Sequence, residues 1–320
     1  MSEFVRTIAG DIKPELLGHC QCHEHLFLEK GRSYEVSPVL YMDDLQKSTQ
    51  ELVDYKKAGG GTIVDAQPVF CGRMAECLYL AAKESNVNVI ASTGFHKTLF
   101  YDDDSYIYSD SEQKISDLYT REISENILAS NRAHHIKLDC KAGIIKTAID
   151  KNGIFADVTY QKLFEAAAQT AKKTGAPVMC HIEQQADALH VVKFFEQRGI
   201  APDRLILCHL DRAKYDFGYH KECFQTGAFL EYDTINRPKY HDDTKETELL
   251  LKMIAYGFEK QILLGLDTTN ARLKNYGADM GLDFILKVFI QFMKKSGISA
   301  ESIKTMLVSN PMGALKINEI

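Results

Sequence analysis

No run of this chain stays apolar for long enough to cross a bilayer as a helix. The opening residues, Met1-Ser2-Glu3-Phe4-Val5-Arg6, lack the apolar core of a secretory signal, so a cytoplasmic setting is expected. Basic charge is also short. Lys and Arg number 38 against 44 Asp and Glu, for a formal net charge of −6. Without a basic stripe to offset a phosphate backbone, general nucleic-acid binding is disfavoured. Linkers, low-complexity tracts and internal repeats are missing, apart from an alternation of strand-like and helix-like segments. Cysteine is present but dilute: eight in 320 residues do not make a disulfide scaffold. What remains is an ordinary globular composition, 45% hydrophobic and 26% charged, long enough for one large domain or two.

The alternation decides between them. Eight short strand candidates fall at 19–25, 62–66, 88–94, 142–147, 177–182, 204–209, 228–233 and 261–267. Several are nearly continuous apolar runs, such as Arg204-Leu205-Ile206-Leu207-Cys208, as expected of parallel strands buried on both faces. Helix-period segments lie between them, including Met74 to Ser85, Tyr160 to Thr174, Gln185 to Arg198 and Thr247 to Phe258. Gly175-Ala176-Pro177 and Arg198-Gly199-Ile200-Ala201-Pro202 stop helices just before strands. Eight such alternations predict an α/β fold, a single (β/α)8 TIM barrel over residues 1–320. Gly59-Gly60-Gly61 precedes a strand instead of linking a strand to a helix, so it reads as a turn and not a phosphate loop. The Tyr- and Asp-rich stretch from Phe95 to Ser111 follows the third strand. It is either a lid over the barrel mouth or a solvated acidic loop.

Chemistry gathers at strand ends. His23-Glu24-His25, Cys180-His181, Cys208-His209 and Leu264-Gly265-Leu266-Asp267 each close an apolar run, where parallel barrels carry their active sites. On an extended strand His23 and His25 leave the same face, about 6–7 Å apart. Imidazoles and a carboxylate from separate strands suit a divalent metal. Each histidine could instead be a satisfied core residue, but that requires independent coincidences of position. Five ligands exceed what one open tetrahedral ion uses, so two ions sharing a bridge fit better. Lys146 ends the fourth strand, where a bridging carboxylate would be wanted. A protonated amine there would be repelled by two cations. A carbamate formed from carbon dioxide would supply the bridge; a surface lysine is the ordinary alternative. Cys22, Cys180 and Cys208 precede ligand candidates and, by strand alternation, should face the helix layer as packing groups and not as sulfur ligands.

The chain resembles the phosphotriesterase family of the amidohydrolase superfamily, almost end to end. The resemblance runs through Val5-Arg6-Thr7-Ile8-Ala9-Gly10-Asp11-Ile12, His23-Glu24-His25-Leu26 and Ala142-Gly143-Ile144-Ile145-Lys146. It continues in Cys208-His209-Leu210-Asp211, Leu264-Gly265-Leu266-Asp267 and Ser309-Asn310-Pro311. It implies a binuclear centre, usually zinc, with manganese or cobalt as alternatives. One ion would take His23, His25 and Asp267, the other His181 and His209, with carbamylated Lys146 and a hydroxide between them. Asp267 would accept the hydroxide's proton, and Asp211 would brace the site from behind. The relay histidine of well-known members is replaced here by the region Tyr232-Asp233-Thr234. Dimerisation is common in the family, although this sequence offers no interface residues.

Substrate choice should lie in the βα loops. Lys97, Lys214, Arg237, Lys239, Arg272 and Lys274, with Tyr276 nearby, form a cationic concentration in an otherwise acidic chain. Either they bind an anionic substrate, or they pair with Asp102–Asp104 and face water. The pattern resembles the family's lactonase branch, which implies hydrolysis of a small phosphorylated furanolactone. A phosphotriesterase-like or acyl-homoserine lactone hydrolase, or a barrel that binds metal without catalysis, are the alternatives.

Overall fold

The structure, a computed structural model, describes residues 3–130, 135–214 and 216–318. Eight parallel strands run in sequence order around one sheet. They are β1 (His19–Glu24), β2 (Gly60–Asp65), β3 (Asn88–Gly94), β4 (Ile144–Ile149), β5 (Val178–Ile182), β6 (Leu205–Cys208), β7 (Phe229–Tyr232) and β8 (Ile262–Leu264). All eight expected strands are present, and β3 matches its expected bounds. The expected helices are seen as Ala75–Ser85, Val158–Thr174, Ala188–Glu196 and Asp243–Ala255. The fold is therefore a nearly closed (β/α)8 barrel in one domain. No helix among the described residues is long and apolar enough to cross a membrane.

Strand alternation splits the core in two. Ile63, Val89, Ile145, Leu207, Leu230 and Leu264 face outward and pack with the helices. Val64, Ile90, Ile144, Met179, Ile206 and Leu263 face inward and fill the barrel. Val5, Leu17, Ala314 and Leu315 join this inner cluster and plug the barrel at the N-terminal ends of its strands. The cysteines correct the simple alternation rule. Cys180 packs in the outer layer as expected, but Cys22 and Cys208 lie in the inner cluster, beside their histidines. The physical reason is local. β1 shifts register between Gln21 and Glu24, and His209 adopts a left-handed backbone at φ 65°, so neighbouring residues turn to one face. All eight cysteines are free thiols.

The seam between β8 and β1 is closed by specific groups. The Asp267 N–H donates to the His23 carbonyl at 3.0 Å. The buried Glu24 carboxylate accepts from Leu266 N–H at 2.8 Å and from the Thr268 hydroxyl at 2.8 Å. Thus the residue between the two metal-motif histidines turns outward and staples the barrel shut. Gly265 permits this approach. A Cβ there would come within 2.8 Å of Glu231 Oε1 and 2.9 Å of the His23 carbonyl. Gly265→Ala is expected to lower stability by about 1–3 kcal/mol through overpacking. Calorimetric unfolding would check this, and an unchanged melting temperature would mean the seam can yield.

Candidate metal centre

Six side chains from five strand ends converge at the C-terminal rim of the barrel. His23, His25, Lys146, His181, His209 and Asp267 line one cavity of about 180 Å³, with His96, Lys97, Phe100, Arg212, Arg237 and Tyr240 around them. The rings of His181 and His209 lie 4.5 Å apart, and those of His23 and His209 4.6 Å apart. Lys146 is buried and points inward, its Nζ 3.2 Å from His23 Nε2. Asp267 Oδ1 lies 3.4 Å from His25 Nε2 and 3.8 Å from His23 Nε2. The ligand atoms of His23, His25 and Asp267 fall within 4.8 Å of one another, as do those of His23, His209, Glu231 and Asp233. A cluster suited to two divalent ions is present.

Protonation fits that use. Burial above all, then the positive neighbours Lys146 and Arg212, hold His23 and His209 well below the ordinary imidazole range. Burial likewise lowers His181 to about 4. These rings are neutral at neutral pH, the form that binds metal. Asp267 is opposed by burial but held ionised by Arg237 and Arg212. Their guanidiniums reach its Oδ2 at 2.5 and 2.9 Å. That leaves Oδ1 turned to the histidines. His209 and Asp267 are both left-handed, with φ of 65° and 49°. Such conformations are rare for residues with a Cβ and concentrate at functional sites.

Several working groups escaped the sequence reading. Asp233 Oδ2 accepts from His209 Nδ1, which leaves Nε2 of that ring for an ion. Glu231 lies 3.3 Å from His23 Nδ1, with neither of its oxygens otherwise bonded. Residues 229, 231 and 233 alternate inward along β7, and that period-two pattern is the signal that could have found both acids. Arg212 occupies a short helix, Leu210–Ala213, directly after His209. His96 stacks on Phe100 at 4.6 Å and stands edge-on to His181 at 5.0 Å. Glu183 bonds Lys97 at 2.5 Å and lies 3.7 Å from His181 Nε2.

The anticipated cationic wall is only partly brought together. Lys97 and Arg237 line the cavity. Lys214 lies over the Tyr219 ring, Lys239 over the Tyr240 ring, and neither reaches the cavity. Arg272 spends its guanidinium on the carbonyls of Ile235 and Asn236, at 2.8 and 3.1 Å. Tyr276 bonds Ser48 at 2.7 Å, away in the helix layer. Asp211 touches no histidine of the cluster; its Oδ2 accepts from the backbone N–H groups of Asp233 and Thr234, at 2.9 and 2.6 Å. The 95–111 stretch borders the cavity at its start and is exposed to solvent at its tip. Phe100 walls the cavity and Tyr106 bonds Tyr119 at 3.0 Å, while Asp102–Asp104 form an exposed tip.

Comparison with known proteins agrees with this geometry. The model of the phosphotriesterase family matches residues 3–315. The chain belongs to the phosphotriesterase family. It is 32% identical over 330 residues to a phospho-furanose lactonase of Mycoplasmopsis synoviae (strain 53), covering 99% of this chain and 93% of that one. It superposes on an amidohydrolase from Mycoplasma synoviae with a TM-score of 0.92 at 32% identity, over 99% of this chain and 93% of the other. A lactonase from Listeria monocytogenes superposes with a TM-score of 0.89 at 27% identity, over 99% and 100% of the two chains.

Asp233→Asn keeps the shape of the partner of His209 but not its charge. Metal affinity, read by competition with a chromogenic chelator, should fall roughly 10–100-fold. Unchanged affinity would detach Asp233 from the metal centre.

Proposed function

We propose that this chain is a metal-dependent hydrolase that opens a small lactone, and that its preferred substrate is a phosphorylated furanolactone. The observation that carries the reading is a histidine cluster whose cavity wall carries Arg212, Arg237 and Lys97. The two curated and structural relatives described as lactonases support the same reaction class.

His23, His25 and Asp267 would hold one ion, and His181 and His209 the other. Among the described residues, His181 belongs to no set of three His, Cys, Asp or Glu donors within 4.8 Å, so a second ion there would need a further ligand of another type. A carbamate on buried Lys146 would supply it and bridge the pair. Zinc suits these nitrogen and oxygen donors, as do manganese and cobalt. Such ions would make water nucleophilic at neutral pH and polarise the lactone carbonyl.

The chain's own groups do the rest. Asp267 Oδ1 receives the attacking water's proton and passes it to the departing ring oxygen, giving the open hydroxy acid. Oδ2 is held by two guanidiniums, which fixes the carboxylate's orientation. Tyr240 lies beside both cations, 5.1 Å from Arg212 and 5.9 Å from Arg237, and limits where they can swing. Arg237 and Lys97, each partly exposed at the cavity, meet the anionic end of the substrate by charge-assisted hydrogen bonds. An apolar acyl or organophosphate ligand would offer those cations no anionic partner beyond Asp267 and Glu183.

Turnover of pentono-furanolactones with and without a 5-phosphate tests the preference. The phosphorylated form should be favoured, and Arg237→Ala should cut kcat/KM on it roughly tenfold to a hundredfold. Equal rates on both lactones would remove phosphate recognition. For the bridge, metal-stripped protein should regain activity with zinc much faster when bicarbonate is added. Full recovery in carbon dioxide-free buffer would exclude the carbamate.

A further inference from the structure

A second polar cluster lies behind the cavity wall and is not used by the proposed reaction. Asp211, His241 and Glu246 are all buried, and one ligand atom from each lies within 4.8 Å of the others. They come from three places: the short helix Leu210–Ala213 after β6, the loop after β7, and the helix Asp243–Ala255. Glu246 is fully buried, and neither of its carboxylate oxygens has a hydrogen-bond partner. Asp211 Oδ1 has none either, while its Oδ2 is taken up by the N–H groups of Asp233 and Thr234.

The tautomer of His241 sharpens the problem. Its Nδ1 lies 3.1 Å from the Asp242 carbonyl, which can only accept, so Nδ1 carries the hydrogen. Its Nε2 faces Glu246 Oε2 at 3.3 Å. Two buried carboxylates and an imidazole facing one another are held together only by something positive between them, a proton or a metal ion. A tetrahedral ion with bonds of about 2.0 Å sets its ligand atoms about 3.3 Å apart.

We propose that Asp211, His241 and Glu246 form a separate structural site for a divalent ion of the zinc or manganese class. One imidazole nitrogen and two carboxylates suit such ions better than the all-oxygen sets of calcium or magnesium. Its role is positional. Through Asp211 the ion fixes the end of β7, where Asp233 orients His209. Through His241 it pins the loop that carries Arg237 and Tyr240 to the cavity. The competing arrangement is a trapped proton. Burial foremost, then Asp211, Asp233 and Asp243, would hold one on Glu246 if no ion were there.

Zinc counting separates the two. Full-length protein is stripped with a chelator, dialysed against Zn2+, and its metal per chain measured for wild type, Glu246→Gln and His241→Asn. Circular dichroism shows which variants fold, and either one suffices. Each folded variant should hold one zinc fewer than wild type. Equal counts would overturn the site in favour of the proton. The readout is a difference in bound metal and not turnover, so it stands or falls independently of the lactonase reading.

Discussion

Burying imidazoles, carboxylates and an amine together at one barrel end costs free energy, and divalent ions among the imidazoles and carboxylates would offset much of it. His23, Lys146 and His209 are almost wholly inaccessible, as are Glu231 and Asp233. Removing such groups from water without partners costs on the order of 1–3 kcal/mol each, and more when charged. The barrel supplies the rigidity for that arrangement. Its inner cluster plugs the opposite end, so the cavity lies at the rim where the strands deliver their last residues.

The same cost explains the local backbone. A register shift in β1 turns Cys22 and His23 to one side, and left-handed conformations at His209 and Asp267 aim two more ligand candidates inward. Glu24 takes the opposite direction and closes the seam. Rigid placement is what lets Asp267 present one oxygen to the histidines while two arginines hold the other. The arginines therefore link the candidate metal cluster to the cationic side of the cavity.

Much of this was legible in the residue order. Apolar runs with helix stops between them placed all eight strands, because parallel strands buried on both faces leave an unmistakable pattern. The histidines were visible for the same reason: each ends such a run. Side-chain direction was less legible where alternation breaks. Cys22 and Cys208 face inward because a bulge and a left-handed residue, neither encoded by a glycine, interrupt the period. Glu231 lay inside the 228–233 strand with no sign of its own, although its spacing from Asp233 carried the signal. The basic loops were harder still. Charge alone cannot distinguish Arg237, which reaches Asp267, from Arg272, which is committed to backbone carbonyls. Arg212 escaped notice because a four-residue helix, and not a long loop, carries it to the site.

The account rests on six side chains holding a pair of divalent ions. The most direct measurement is anomalous diffraction from crystals of the zinc-loaded protein. It should show one peak among His23, His25 and Asp267, a second beside His181 and His209, and added density on Lys146 Nζ between them. A single peak within that cavity, with Lys146 unmodified, would contradict it.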